Sequence, residues 1–131
     1  MAVTRVSLLQ RWTVNIKTDI ILMKQIVFLG DSVERLRAFP DRPRRDAGFQ
    51  LDKVQRGLDP DNWKPMKSVG PGVREIRVRD SASAFRVIYI AAFAEAVYVL
   101  HAFQKKTPRT AARDMELAQS RYRELKRSDR S

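Results

Sequence analysis

Cysteine is absent from this chain of 131 residues, and histidine occurs once, at position 101. The absence of cysteine excludes disulfide bonds, thiolate metal sites and cysteine nucleophiles. With one histidine, only scattered carboxylates remain as metal ligands, so we expect neither a metal nor another cofactor. A phosphate-binding glycine loop is missing too, because Gly70-Pro71-Gly72 lacks the spacing that such loops require.

Long apolar runs are also missing. Apolar runs such as residues 20–23 and 96–100 are far shorter than the roughly 18 residues that cross a membrane. Near the start of the chain, Arg11, Lys17 and Asp19 interrupt any apolar region that a signal peptide would need. We therefore expect no contact with a membrane and a cytoplasmic location, with which the absence of cysteine agrees.

Acidic residues are few relative to basic ones. The chain has 15 Asp and Glu against 26 Lys and Arg, which gives a formal net charge of +11 at pH 7. A domain this basic is attracted to nucleic acid, to anionic lipid or to an acidic protein partner. The alternative is a soluble protein whose surface simply carries many charges.

The length of the chain fits one domain. An apolar, strand-like run begins at Met23 and ends at Gly30-Asp31, so we place the core domain at residues 23–126. Residues 1–22 form an extension, which is either the product of an upstream translation start or an added strand or helix. Residues 127–131 are predicted to be a disordered tail.

Helices and strands are predicted from caps, periodicity and turn residues. The helices are residues 31–39, residues 43–56 and a last helix that begins at Thr107-Pro108, with proline in its first position. A loop at 58–72 carries a short strand near 66–69, and three strands follow at about 73–79, 84–91 and 96–103. The links between these three are short, which indicates an antiparallel meander. The order strand, helix, helix, three strands, helix predicts an α+β fold with an antiparallel sheet packed on helices.

Alternation along the meander divides its side chains between two faces. In its first strand, Glu75, Arg77 and Arg79 share one face, and Arg74 lies on the other. In its third strand, one face is predicted to carry Val97, Val99, His101 and Phe103, opposite Tyr98 and Leu100. Polar groups gather toward the strand ends, where converging cations would line a cleft.

Basic residues on neighbouring strands suit the cleavage of RNA without a metal ion. In that reaction the 2′-hydroxyl loses a proton and attacks the adjacent phosphorus, so the site must supply a base, an acid and fixed cations. Arginine suits phosphate binding because its guanidinium is rigid and always charged. His101 is the candidate acid or base, and Lys64 or Lys67 can replace it if neighbouring cations lower the pKa of the amine.

Each of these residues also has a purely structural interpretation. A lone histidine at the end of a strand is more often structural than catalytic. Arg77 and Arg79 can form a solvated face that pairs with Glu75. Trp63 either stacks on a base of RNA or, as is commoner for a tryptophan in a loop, covers the core.

Three segments resemble the phage-derived, HigB-like toxins of the RelE/ParE superfamily. They are residues 63–77, residues 85–89 and residues 99–110, of which Leu100-His101-Ala102-Phe103-Gln104-Lys105-Lys106-Thr107 is the most specific. The resemblance extends over residues 23–126 and implies the same order of strands and helices. It also implies a toxin of a type II toxin–antitoxin pair. RelE and HigB relatives cleave mRNA without metal, typically in the ribosomal A site, so the resemblance implies this activity too.

The resemblance further implies partners and site residues. The implied partners are mRNA, the ribosome and a small helix-turn-helix antitoxin, and the implied assembly is a hetero-oligomer of toxin and antitoxin. The implied catalytic residues are Arg74, Arg77 and Arg86, which stabilise the phosphate, and His101 as acid or base. The implied RNA-binding residues are Lys64, Lys67, Lys105 and Lys106.

Two other functions stay open. ParE-like relatives inhibit DNA gyrase without cutting RNA, and such a protein would tolerate the loss of His101 and Arg86. A degenerate phage protein would only bind its antitoxin or RNA, in the latter case with a strong dependence on salt but without cleavage. The ribonuclease hypothesis expects Arg74, Arg86 and His101 on one surface, and separate faces would weaken it.

Overall fold

The computed structural model describes residues 3–5 and 23–129. The strands are β1 (Val3–Arg5), β2 (Gln25–Leu29), β3 (Trp63–Pro65), β4 (Val73–Asp80), β5 (Ser83–Ile90) and β6 (Ala96–Lys105). The helices are α1 (Ser32–Arg37), α2 (Asp41–Gln55) and α3 (Ala112–Asp129). Within the described residues, the strands form one sheet in the order β1-β2-β6-β5-β4-β3.

The sheet is mixed, and its topology follows from the length of each connection. Short turns join β4, β5 and β6, which form the predicted antiparallel meander. The two helices α1 and α2 lie between β2 and the meander, so the chain can cross over and pair β2 with β6 in parallel. The predicted α+β class is therefore confirmed. One strand of the predicted extension, β1, pairs with β2, and the rest of residues 1–22 lies outside the described residues.

An irregularity in β6 changes which side chains face which helices. The register joins Ile88 to His101 but Tyr89 to Val99, so Leu100 is an extra residue on β6. One extra residue reverses the alternation of side chains along a strand. The faces predicted for this strand are therefore wrong beyond residue 99. The face toward α3 carries Tyr98, Leu100, His101 and Phe103.

The sheet is buried on both faces by helices. On one face, a core that includes Val33, Leu51 and Ile76 joins α1 and α2 to the sheet. On the other face, Leu100 packs with Ala118 and Leu125 of α3 in a second core. Strands covered on both sides are apolar on both faces, which explains the continuous apolar runs that the sequence shows in β2 and β5.

Helix α3 approaches the rest of the molecule closely at two glycines. A Cβ atom at Gly70 would overlap the ring of Tyr122, and a Cβ atom at Gly30 would overlap the guanidinium of Arg121. Gly30 also has a φ of +56°, a conformation that favours glycine. The absence of a side chain at these positions therefore lets α3 lie against the sheet.

The last helix begins and ends later than predicted. Residues 107–110 bend, and the helix begins at Ala112, so Pro108 is not its first residue. At its other end the helix continues to Asp129, although a disordered tail was predicted from residue 127. Leu125 is buried and the last turn is basic, and basic side chains stabilise the carboxyl end of a helix.

Other boundaries differ by a few residues. The short strand predicted near residues 66–69 lies instead at β3, where it pairs with β4. The second helix begins at Asp41 rather than at Pro43, because proline is tolerated in the first turn of a helix. Among the three helices of the described residues, none is long and apolar enough to cross a membrane.

Candidate functional site

Basic side chains from four neighbouring strands share the face of the sheet to which α3 binds. The register pairs Arg77 of β4 with Arg86 of β5, and Lys64 of β3 with Glu75 of β4. Lys105 of β6 pairs with Ala84, which lies two residues from Arg86 and therefore on the same face. We call Lys64, Arg77, Arg86 and Lys105 the cationic cluster.

A buried glutamate lies at the centre of the cationic cluster. Glu75 is 1% exposed, and its Oε1 lies 3.5 Å from Nε of Arg86 and 4.0 Å from Nε of Arg77. Within residues 23–129, no hydrogen bond reaches Glu75 Oε2 or Arg86 Nε. One carboxylate therefore lies within ion-pair distance of two guanidiniums, and the cluster as a whole keeps a net positive charge.

The cluster is accessible on its outer side. The side chain of Arg77 is 37% exposed, Lys64 is exposed, and Lys105 is partly exposed. Arg86 is only 5% exposed, so its guanidinium is held in place at the base of the cluster. An anion that reaches this face would meet buried and exposed cations together, which favours the binding of phosphate.

Lys105 loses its proton more easily than an ordinary lysine does. Burial lowers the pKa of its ammonium group, and the positive charges of Arg86, Lys64 and Arg77 lower it further against the opposing effect of Glu75. An amine with a lowered pKa transfers protons more readily near neutral pH. The cluster thus combines two guanidiniums with an ammonium group whose pKa is lowered.

Arg74 lies on the opposite face of the sheet from the cationic cluster. Its Nη1 is 3.0 Å from Oδ1 of Asp59, and its Cζ lies 3.9 Å from the centre of the ring of Trp63. Lys67 lies near this pair, and both basic residues line one cavity at the β3 edge of the sheet. Two of the predicted site residues, Arg74 and Lys67, are thereby separated from the other basic residues.

His101 is fully buried between β6 and α3. Its Nε2 lies 2.8 Å from Oδ1 of Asp114, and its ring stacks on Phe103 at 5.2 Å between centres. Burial lowers the pKa of His101, as do the charges of Arg121 and Arg35, and Asp114 opposes this effect. With 0% of its surface exposed, His101 does not reach a substrate on the outer face, so its position favours the structural interpretation.

The partners of His101 belong to a polar network that joins α3 to the start of α1. Arg121 donates to the backbone oxygen of Leu100 at 2.9 Å and to Oδ1 of Asp31 at 2.7 Å. Partial burial raises the pKa of Asp31, but hydrogen bonds from Arg35 and Arg121, with their charges, outweigh it and lower the pKa to about 2. The carboxylate is therefore ionised at neutral pH, and the network stabilises the docked helix.

Lys106 points away from the cationic cluster, although it directly follows Lys105. It is exposed and lines a cavity between α1 and the start of α3, together with Glu34, Arg35 and Asp114. Two neighbouring lysines of the same motif thus have different surroundings. This difference supplies a matched control for experiments on Lys105.

The expectation that Arg74, Arg86 and His101 share one surface is not met, which weakens the site as predicted. The register nevertheless brings together Lys64, Arg77, Arg86 and Lys105 from the predicted set. The sequence interpretation treated Glu75 only as a surface partner of the arginines. The position of Glu75 between Arg74 and Arg77, within β4, was the signal that it is central. In the described part of the chain, no group of three or more histidine or acidic residues is arranged to hold a metal ion.

Comparison with known families gives one match. Residues 34–123, well over half of the chain, match the family described as Phage derived protein Gp49-like (DUF891). The matched segment contains the cationic cluster and all of the polar network of His101 except Asp31. A search of curated proteins gave no match to the chain.

Proposed function

The chain belongs to the Gp49-like family of phage-derived proteins, a RelE/HigB-like toxin family, and we propose that it is a toxin that cleaves mRNA on the ribosome without a metal ion. The family suggests an antitoxin as partner. The observation that carries the proposal of cleavage is the cationic cluster, in which four strands each contribute a cation around buried Glu75.

Each part of the cluster has a role in the proposed reaction. Arg77 and Arg86 bind the non-bridging oxygens of the scissile phosphate, where charge increases in the transition state. The neutral amine of Lys105 accepts the proton of the 2′-hydroxyl as the 2′-oxygen bonds to phosphorus. The bond from phosphorus to the 5′-oxygen then breaks, and the ammonium of Lys105 returns the proton to that oxygen. The products are a 2′,3′-cyclic phosphate and a 5′-hydroxyl.

The proposal is tested by comparing Lys105→Ala with Lys106→Ala, which remove the same charge from neighbouring positions. Because a positioned acid or base contributes about 10²–10⁴-fold in rate, we expect Lys105→Ala to slow cleavage by that factor. Lys106→Ala should change it by no more than about twofold, because Lys106 lies outside the cluster. The measurement is the rate of mRNA cleavage on ribosomes in the presence of EDTA, together with growth arrest on induced expression.

Arg86→Ala provides a second test in the same assays, since it removes the cation nearest Glu75. Loss of both cleavage and growth arrest supports the proposal. Growth arrest that persists in Arg86→Ala and Lys105→Ala while mRNA stays intact would instead indicate an inhibitor such as a gyrase-directed toxin. Equal rates for the Lys105 and Lys106 variants would show that the cluster is not the catalytic site.

A further inference from the structure

The pair of Trp63 and Arg74 lies at the edge of the sheet, on the face opposite the cationic cluster. In the register, Trp63 pairs with Ile76 and Pro65 pairs with Arg74, so Trp63, Pro65 and Arg74 project from the same face. Lys64, between Trp63 and Pro65, projects from the other face and belongs to the cluster. Since β3 is the last strand of the described sheet, only the thickness of one strand separates the two groups.

The geometry of the pair is that of a stack. The Cζ atom of Arg74 lies 3.9 Å from the centre of the Trp63 ring, and the salt bridge to Asp59 at 3.0 Å holds the guanidinium there. Both side chains are partly exposed. A tryptophan that only covered the core would be buried, whereas this indole and guanidinium form part of the surface.

The pair also forms the wall of an open cavity. This cavity has a volume of about 480 Å³, and it is lined by Trp63, Pro65, Lys67, Pro71, Gly72, Val73 and Arg74. Its lining combines flat apolar surfaces with two cations and contains no acidic residue. Aromatic rings and guanidinium planes are the surfaces on which unpaired bases of RNA stack, and lysines beside them bind the phosphates.

We propose that Trp63 and Arg74 form a subsite that stacks an unpaired nucleobase of the RNA strand whose phosphate lies at the cationic cluster. The inference rests on the proposed function and deepens it, because it assigns the substrate a single-stranded segment that passes over the edge of β3. Lys64 contacts the strand on one side of that edge, and Lys67 contacts it on the other. Arg74 and Lys67 thereby bind RNA without taking part in the chemical step.

The test uses the fluorescence of Trp63 itself. The chain has two tryptophans, at positions 12 and 63, so a Trp12→Phe variant of the full chain leaves Trp63 as the sole reporter. The probe is a single-stranded RNA of about ten nucleotides with 2′-O-methyl groups, which cannot be cleaved because the attacking hydroxyl is blocked. We expect saturable quenching with this probe and none with a duplex of the same sequence, whose bases are not free to stack.

Affinity is measured in parallel by the anisotropy of a dye-labelled probe. We expect Trp63→Ala to raise the dissociation constant about 5- to 150-fold, the range found when one stacked aromatic residue is removed. Trp63→Phe should retain most of the affinity, which also controls for loss of fold. Phe49→Ala is the matched control, because Phe49 is an aromatic side chain 58% exposed on α2 and does not line the cavity formed by Trp63 and Arg74.

The outcomes separate this subsite from the proposed function. Lys105→Ala should slow the cleavage of unmodified mRNA about 10²–10⁴-fold, whereas the quenching of Trp63 at saturating concentrations of the probe should persist. Binding of the probe without quenching, or with equal affinity in Trp63→Ala and Phe49→Ala, would overturn the subsite while cleavage at the cluster could still stand. No binding of the probe at all would overturn the subsite and count against the ribonuclease.

Discussion

The two ring nitrogens of His101 have partners of different kinds. Nε2 lies 2.8 Å from a carboxylate oxygen of Asp114, and Nδ1 lies 3.5 Å from Nη1 of Arg121. Arginine can only donate, so Nδ1 accepts, and the ring proton is assigned to Nε2, which donates it to Asp114. A neutral imidazole thus satisfies both partners without adding a charge to the core.

This arrangement predicts how stability depends on pH. Because the pKa of His101 is lowered in the fold, the unfolded chain, whose histidine titrates near pH 6.5, takes up the proton first. We expect the contribution of His101 to the free energy of unfolding to be fully present above about pH 6.5. It should fall as the pH drops below that value, by at most about 1.4 kcal/mol per pH unit. Urea unfolding at a series of pH values measures the change.

The control for this prediction is His101→Gln, which cannot titrate. The variant should be less stable than the wild type at neutral pH but should show a flatter dependence between about pH 5.5 and pH 7.5. With a single histidine in the chain, the comparison isolates this one group. Stability that increases on acidification would contradict the neutral assignment and indicate an ion pair with Asp114.

At the scale of elements, the docking of α3 depends on glycine. A methyl group at Gly70 would overlap the ring of Tyr122, so we expect Gly70→Ala to destabilise the fold by about 1–3 kcal/mol, as overpacking does. The matched control is Gly48→Ala, because Gly48 lies within α2 and a Cβ atom there meets nothing within 4 Å. That variant should be more stable than wild type by about 0.5–1 kcal/mol.

Thermal and urea unfolding of Gly70→Ala and Gly48→Ala measure the sign of each change in the free energy of unfolding. Opposite signs support the close approach of α3 to the 66–72 loop. Equal, small effects would mean that Tyr122 moves aside at no cost and that the contact at Gly70 does not hold the helix.

The elements were largely predictable from the sequence because each follows a local rule. Alternating apolar residues and short turns predicted the meander, and apolar spacing with a terminal Gly57 predicted α2. The bulge at Leu100 was not predictable, because β6 carries apolar residues on both of its faces. The apolar pattern of the strand therefore does not distinguish one register from the other. This error did not separate His101 from Arg86, because both lie on the face toward α3. His101 is removed from the expected site by its burial under α3, which depends on tertiary packing.

At the scale of the whole molecule, the cationic cluster assembles cations that are distant in the sequence. The order of strands places β3, β4, β5 and β6 side by side. The positive charge of Lys64 therefore lowers the pKa of Lys105, although forty residues lie between them in the sequence. The identity of the basic residues could be read from the sequence. Alternation along β4 already placed Arg74 opposite Arg77, but the assembly of cations from four strands and the burial of Glu75 required the register and the packing.

The net charge of +11 predicts binding to RNA that weakens with salt. Each phosphate neutralised on a single strand contributes about −0.7 to the slope of log affinity against log salt, so the four cations of the cluster should give a slope of about −3. Lys64→Ala should reduce its magnitude by about 0.7, whereas Lys106→Ala should leave it unchanged. Anisotropy titrations of single-stranded RNA from about 50 to about 200 mM KCl measure both slopes. If Lys64→Ala and Lys106→Ala reduce the slope equally, RNA is attracted by the total charge of the protein rather than by the cationic cluster.

Because β2 pairs with β6, a strand much later in the sequence, β2 cannot complete its pairing until β6 has been synthesised. Strand β2 ends at Leu29, but the residues of β6 with which this strand pairs begin at Ala96. Ribosomes add roughly 5–20 residues per second. For several seconds, therefore, the apolar run from Ile26 to Leu29 has no strand to pair with along that edge and is open to chaperones or to aggregation. The cations of β3, β4, β5 and β6 also come together only when β6 has emerged. A chain that stalls earlier would lack the complete cluster, so a ribosome that makes this protein is exposed to it only after β6 has emerged.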